Sequence, residues 1–172
     1  IMNARFAISA QPRHPVHVFY GGAHLFQEGL FRKLGDRALN LLRMHRPLGD
    51  SALHVRIENK LQTEPIEDYR MDFEDGYGLR SNVDEDAEAP RAGRVFAQIA
   101  RSGLVPFRIG IRLKANCERA VHTLELFLRE ATAGPFPELF VVTQPKVSTS
   151  EEVKRWREML ENMELRFRLP GG

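Results

Sequence analysis

The chain has 172 residues, with 25 Lys+Arg against 23 Asp+Glu for a net charge of +2, and it is 42% hydrophobic and 28% charged. That length can bury a core, since a domain of about 150 residues hides roughly 70% of its extended-chain surface, and the composition is that of a globular chain rather than a disordered one. The small net charge, even with a pI near 8.9, argues against a nucleic-acid partner, and no apolar run approaches the roughly 18 residues of a membrane span.

No secretory leader pattern is visible. The single cysteine, Cys117, can form no internal disulfide, which fits a cytoplasmic, reducing setting. Residues 16–20 (VHVFY) alternate, are rich in β-formers and run into Gly21-Gly22, the pattern of a strand and a tight turn. From Leu25 the spacing turns helical. Leu25, Phe26, Leu30, Phe31, Leu34, Ala38, Leu41 and Leu42 share one face, and Pro47 and Gly49 close that helix. Residues 51–61 form a second helix with Ser51 as N-cap. Residues 68–73 (DYRMDF) make a short strand that stops at Glu74-Asp75-Gly76-Tyr77-Gly78.

Residues 84–99 are helical, with acids in the first turn that suit the helix dipole, and Pro90 sets the start or a kink. Residues 107–113 (FRIGIRL) are a third strand, residues 119–131 a helix and residues 139–143 (LFVVT) a buried fourth strand. A helix over 148–162 follows, with Ser148 or Thr149 as N-cap and Glu151 or Glu152 completing a capping box. Residues 165–169 open a fifth strand.

Strands alternating with helices call for a parallel sheet joined by right-handed crossovers. No linker divides the chain, so residues 1–172 form a single α/β domain. Two architectures fit: about the first four βα units of a (β/α)8 TIM-type barrel, or an open doubly wound, flavodoxin-like sheet. Both put their working groups at the C-terminal ends of strands.

Four strand ends therefore carry the candidate groups. The first has Gly21, Gly22 and His24, where glycines either admit a phosphate to backbone N–H groups or simply make the turn. The second has Asp72, Glu74 and Asp75. Asp72 and Glu74 share a face because strand side chains alternate, and paired carboxylates are costly unless a cation neutralises them. The third has Arg112 and Lys114; in a barrel Arg108, Gly110, Arg112 and Lys114 face the interior, where Arg112 can grip a carboxylate bidentately. The fourth has Gln144, Pro145 and Lys146, the lysine serving as an anion site, a Schiff-base amine or a partner for Glu74 or Asp75. Cys117 has no histidine at a meaningful spacing and is not assigned as a nucleophile.

These segments resemble a known family. Asp72-Phe73-Glu74-Asp75-Gly76 is similar to the D-[LF]-E-D-[AG] segment of the citrate lyase β-subunit and HpcH/HpaI aldolase superfamily. Gly110-Ile111-Arg112-Leu113-Lys114 resembles its strand-three arginine segment, and Val142-Thr143-Gln144-Pro145-Lys146-Val147 its "[ML]-P-K-V". The resemblance implies a phosphoenolpyruvate/pyruvate-type TIM barrel and a carbon–carbon lyase or aldolase dependent on Mg²⁺ or Mn²⁺. Its substrate would be a 2-oxo acid, a hydroxy acid or an acyl-CoA thioester, handled through an enolate. Arg112 would hold the carboxylate or oxo group. Glu74 and Asp75 would organise metal-bound water and serve in acid–base steps, and Lys146, Gly21 and Gly22 would complete the substrate site. Direct metal ligands, a Glu after strand five and an Asp after strand six, are expected beyond Gly172. Gly21-Gly22 and His24 depart from the family's usual Pro-Gly and following basic residue, which bears on acyl-CoA recognition. The expected partners are a small-molecule substrate and a second copy of the chain, with no membrane. The reading from another class is a non-catalytic α/β binding or regulatory module.

Overall fold

The computed structural model describes residues 14–45, 51–103, 105–115 and 117–169. Four parallel strands, β1 (Val18–Gly22), β2 (Asp68–Asp72), β3 (Arg108–Arg112) and β4 (Phe140–Thr143), form one open sheet in the order β1-β2-β3-β4. The helices are α1 (Leu30–His45), α2 (Ser51–Thr63), α3 (Asn82–Arg101), α4 (Cys117–Ala131) and α5 (Ser150–Phe167). The strand order never reverses, whereas the doubly wound alternative requires a reversal at its switch point. The four-stranded parallel α/β organisation expected from the sequence is present, and the sheet does not close. Among the described residues no helix is long and apolar enough to cross a membrane.

Register and alternation sort the strand residues between two faces. Along β2, Tyr69 and Met71 point one way and Asp68, Arg70 and Asp72 the other, as a period of two demands. Tyr69 pairs with Ile109, and Met71 with Ile111. Together with Phe73 and Leu113, which follow the strand ends, these residues are almost wholly buried. They meet Ala89, Ala92 and Phe96 of α3, and Leu124, Phe127 and Leu128 of α4, in one core cluster. Phe96, Phe127, Phe136 and Phe140 stack at the β4 side with centroids 4.9 to 5.8 Å apart, a spacing in the range favoured by aromatic pairs. The core lies on one face alone, because the opposite face presents Asp68, Arg70, Asp72, Arg108, Gly110 and Arg112.

Every helix departs from the sequence reading at one end or both, and at α1, α3 and α5 the physical cause is plain. α1 begins at Leu30 rather than Leu25, because Ala23–Leu25 forms a 3₁₀ turn and Gly29 then takes a left-handed φ of 73°. α3 starts at Asn82, upstream of Pro90, because Ser81 and Asp84 form a reciprocal capping box. Pro90 lies inside the helix, where it removes only the bond to the Asp86 carbonyl. The fifth strand expected over 165–169 is absent: α5 runs through Phe167. Its apolar residues Trp156, Met159, Leu160, Met163 and Phe167 keep a three-to-four spacing against the core, so the helical period overrides the β-rich ending. Arg168, at φ 53°, then caps α5 in the left-handed conformation. Thr149 and Glu152 form its capping box, selecting one of the two pairs of alternatives. The stop expected at Pro47 and Gly49 lies outside the described residues.

α3 and α4 touch at Gly93. A Cβ there would lie 2.4 Å from the Phe127 carbonyl oxygen and 3.2 Å from the Ala131 nitrogen. Backbone cannot give way as a flexible side chain can. Gly93→Ala therefore loses about 1–3 kcal/mol to overpacking, more than the up to about 1 kcal/mol of helix propensity that alanine returns. Urea unfolding of the variant should show a lowered midpoint, and an unchanged or raised midpoint would refute the close approach.

Candidate functional site

Asp72 closes β2 and faces away from the core, beside its register partner Arg112 at the end of β3. Arg112 Nε donates to Asp72 Oδ1 at 2.8 Å and Nη2 to Oδ2 at 2.5 Å. The same two oxygens accept from the backbone of the next loop, Glu74 N–H at 2.8 Å on Oδ1 and Gly76 N–H at 2.9 Å on Oδ2. Asp72 is thus a buried carboxylate whose charge meets four donors. Gly76 makes this possible, since a Cβ at that position would sit 2.6 Å from Asp72 Oδ2. The Asp72 pair holds the Arg112 guanidinium above its ordinary pKa. The carboxylate fork expected for a ligand is therefore filled from within the chain at Nε and Nη2, and Nη1 takes no part in the Asp72 pair. The guanidinium also lies over the Tyr20 ring, 4.9 Å from its centroid.

The loop anchored by Asp72 carries the other two acids. Glu74 has a side chain 11% exposed and accepts from Lys146 Nζ at 2.7 Å on Oε1, while its buried Oε2 has no hydrogen-bond partner. Asp75 is largely solvent-exposed and lies 3.2 Å from Arg112 Nη2 and 4.0 Å from Lys146 Nζ. Three strand ends thus deliver a mixed cluster of Asp72, Glu74, Asp75, Arg112 and Lys146. The sequence requirement that cations neutralise the Asp72/Glu74 pair is met by Arg112 for the first and Lys146 for the second.

Of the three roles open to Lys146, the geometry shows the ion pair. Its hydrogen bond with Glu74 raises the ammonium pKa, the wrong direction for the neutral amine that Schiff-base formation needs. Lys146 also adopts a left-handed φ of 56°, a conformation that costs on the order of 1–3 kcal/mol outside glycine. Gln144 Nε2 donates to the Lys114 and Ala115 carbonyls at 3.1 and 3.2 Å, joining the β4 end to the β3 end.

Of the other sequence-chosen residues, Gly22 lies in the same row as Asp72 and Arg112, and the rest stand outside the ionic cluster. Lys114 does not face it: Nζ lies 2.5 Å from Glu85 Oε2 on α3. The strand ends at Arg112, so alternation no longer dictates its direction. Gly21 and Gly22 are packing glycines, since a Cβ would meet the Tyr69 hydroxyl or the Gly76 carbonyl oxygen, each at 2.2 Å. The His24 ring lies 5.7 Å from that of Tyr77. The Cys117 side chain is outside the described residues. The sequence reading missed Tyr20 as the surface beneath Arg112. The register that places Tyr20 across from Arg70, one row from the Gly22–Asp72–Arg112 row, is not visible in any single segment.

Among the described residues, no group of three His, Cys, Asp or Glu side chains meets as a metal would require. Glu74 and Asp75 therefore do not make a direct ligand set by themselves.

A family model described as a domain of unknown function (DUF6986) matches residues 2–172. No curated protein and no solved structure matches the chain.

Asp72→Ala would leave Arg112, four-fifths buried, without its carboxylate and would free the 74–76 loop. The variant should lose about 3 kcal/mol of stability, the lower end for breaking a buried ion pair, measured by urea unfolding at constant salt. A loss below about 1 kcal/mol, the size of an exposed surface pair, would show that Asp72 does not organise this cluster.

Proposed function

The chain belongs to the DUF6986 family, a domain of unknown function, so its activity must be read from the strand-end cluster, and we propose that this cluster is the enolate-handling part of a carbon–carbon lyase or aldolase. The observation that carries the reading is the Asp72–Arg112 pair seated between Tyr20 and the Glu74/Asp75 loop. A fixed cation, two further carboxylates and a balancing lysine stand together at the C-terminal ends of parallel strands. The resemblance of the three strand-end segments to the citrate lyase β-subunit and aldolase superfamily supports the same reading, and the unreversed strand order agrees with the opening units of a TIM-type barrel.

Cleavage of a carbon–carbon bond next to a carbonyl leaves the electron pair on an enolate. Positive charge placed in advance where that oxygen develops is the largest single contribution such a site can make. Arg112 supplies it from the Nη1 side of a guanidinium that Asp72 keeps from rotating. Glu74, whose Oε2 has no hydrogen-bond partner, would accept the proton of a substrate hydroxyl or return one to the enolate carbon. Lys146 offsets the charge of the acids, and Asp75 faces solvent at the rim. The substrate class is a 2-oxo acid, a hydroxy acid or an acyl thioester. A divalent ion such as Mg²⁺ or Mn²⁺ would add Lewis acidity at the carbonyl, held by ligands other than the described residues.

The direct test follows deuterium exchange into the methyl group of pyruvate, with and without Mg²⁺. Exchange above the buffer rate is expected and should fall about 10²–10³-fold in Arg112→Lys, which keeps the charge but loses the planar fork. Circular dichroism should show the variant folded. Exchange no faster than buffer, across pyruvate and a short acyl thioester, would discard the lyase reading in favour of a non-catalytic binding module.

A further inference from the structure

The opposite end of the sheet holds a cavity that the proposed chemistry does not use. It measures about 780 Å³ and lies between α1, the last turns of α2 and α3, and the segments leading into β2 and β3. That volume is within the roughly 300–1,000 Å³ of small-molecule sites. Ile66 and Phe107, which line it, stand just before β2 and β3, so the cavity lies at the N-terminal strand ends, away from Asp72 and Arg112. Gly35 fixes one wall. A Cβ there would lie 3.0 Å from Pro65 Cγ and 3.1 Å from the Leu61 carbonyl oxygen, so α1 runs close against the chain between α2 and β2.

The lining divides by polarity. Leu39, Ile66 and Ile99 are buried and form an apolar floor, with Phe31 and Phe107 half-buried beside them. The rim is acidic. Glu28 and Asp36, both exposed, stand against Arg32, and no ion pair among the described residues takes either acid. Glu64, the third carboxylate of the lining, is paired with Lys60 at 2.6 Å. α3 adds to the negative side because it ends here: Gln98, Ser102 and Gly103 bring its C-terminal end to the cavity, the negative pole of the helix dipole. The arginine of its last turn does not offset that pole, since Arg101 Nη2 donates to the Ala133 carbonyl at 2.6 Å.

We infer that this cavity binds an organic ammonium ion, a protonated amine carried on an apolar body. The floor takes hydrocarbon, and it offers no oxygen ligands of the kind a bare divalent cation needs on several sides. The rim and the end of α3 select positive charge. A neutral ligand would leave Glu28 and Asp36 in excess over Arg32, and an anion would add to that excess. None of these residues belongs to the enolate site, so ammonium binding and lyase activity can each fail without the other.

The experiment titrates the ¹³C,¹⁵N-labelled protein at constant ionic strength and reads the Ile66 and Ile99 methyl groups and the Gly103 amide. The probes are three single-ring compounds of similar size: benzylammonium, benzyl alcohol and benzoate. Saturable shifts at these positions are expected with benzylammonium, at an affinity about fivefold above that of the alcohol, with benzoate weaker still. Asp36→Asn alters an exposed position and should melt as the parent does. Its affinity for benzylammonium should fall about two- to fivefold, the factor that an exposed ion pair contributes. No saturable shift with benzylammonium, binding of the alcohol or benzoate as tight as that of the amine, or an Asp36→Asn affinity equal to the parent's overturns the inference.

Discussion

The Asp72 carboxylate is the interaction on which the strand-end cluster depends. Its two oxygens receive Arg112 from the neighbouring strand and two backbone N–H groups from the following loop. One side chain thereby fixes three things: the direction of the Arg112 guanidinium, the path of the Glu74–Gly76 turn, and the closeness of the β2 and β3 ends. Charge-assisted bonds of this kind are roughly twice as strong as neutral ones, and their value here is geometric. An arginine held by a single partner could swing; one held through Nε and Nη2 presents Nη1 along a fixed direction. Glu74 inherits its place from the same anchor, because its own backbone N–H is one of the four donors.

The sheet works as a divider because two of its strands alternate strictly. In β2 the order Asp68, Tyr69, Arg70, Met71, Asp72 sends two apolar residues to the core and three charged ones to the opposite face, and all five are buried. β3 does the same with Ile109 and Ile111 against Arg108, Gly110 and Arg112. A one-residue slip between these strands would carry the guanidiniums into the core and the isoleucines out of it, so the hydrophobic core enforces the register that pairs Asp72 with Arg112. Stability and site geometry rest on the same alignment.

How much of this was legible in the sequence follows from how local each signal is. The Asp72/Glu74/Asp75 turn, the Arg112 strand end and Lys146 after β4 could be picked out because each is a polar group interrupting an apolar strand. The need for compensating cations followed from the two-residue period. What could not be read was which cation serves which acid, since that depends on register between segments 40 and 72 residues apart. Lys114 shows the limit. By alternation it belonged with Arg112, yet it turns to Glu85 on α3 once the strand ends. The fifth strand failed for a related reason: local β preference at Leu165–Leu169 is weaker than the apolar spacing that runs continuously from Trp156 to Phe167.

Glu85 explains why that turn of Lys114 matters to the site. The carboxylate is fully buried, and it gathers Lys114, Arg119 and the Thr123 hydroxyl, while Asp86 beside it pairs with Arg119 and His122. α3 follows the Asp72-anchored loop and α4 follows β3, so this ionic cluster ties the two helices that cover the sheet to the chain just beyond Arg112. Lys114 thereby leaves the strand-end cluster, which keeps Arg112 and Lys146 as its cations against Asp72, Glu74 and Asp75. Had Lys114 stayed with Arg112, the added charge would have competed for Asp72 and Asp75 and left the buried Glu85 to Arg119, a cation it shares with Asp86. The division of cations between the two clusters leaves the strand-end cluster with one more acid than cations, gathered around a guanidinium that Asp72 holds through two bonds.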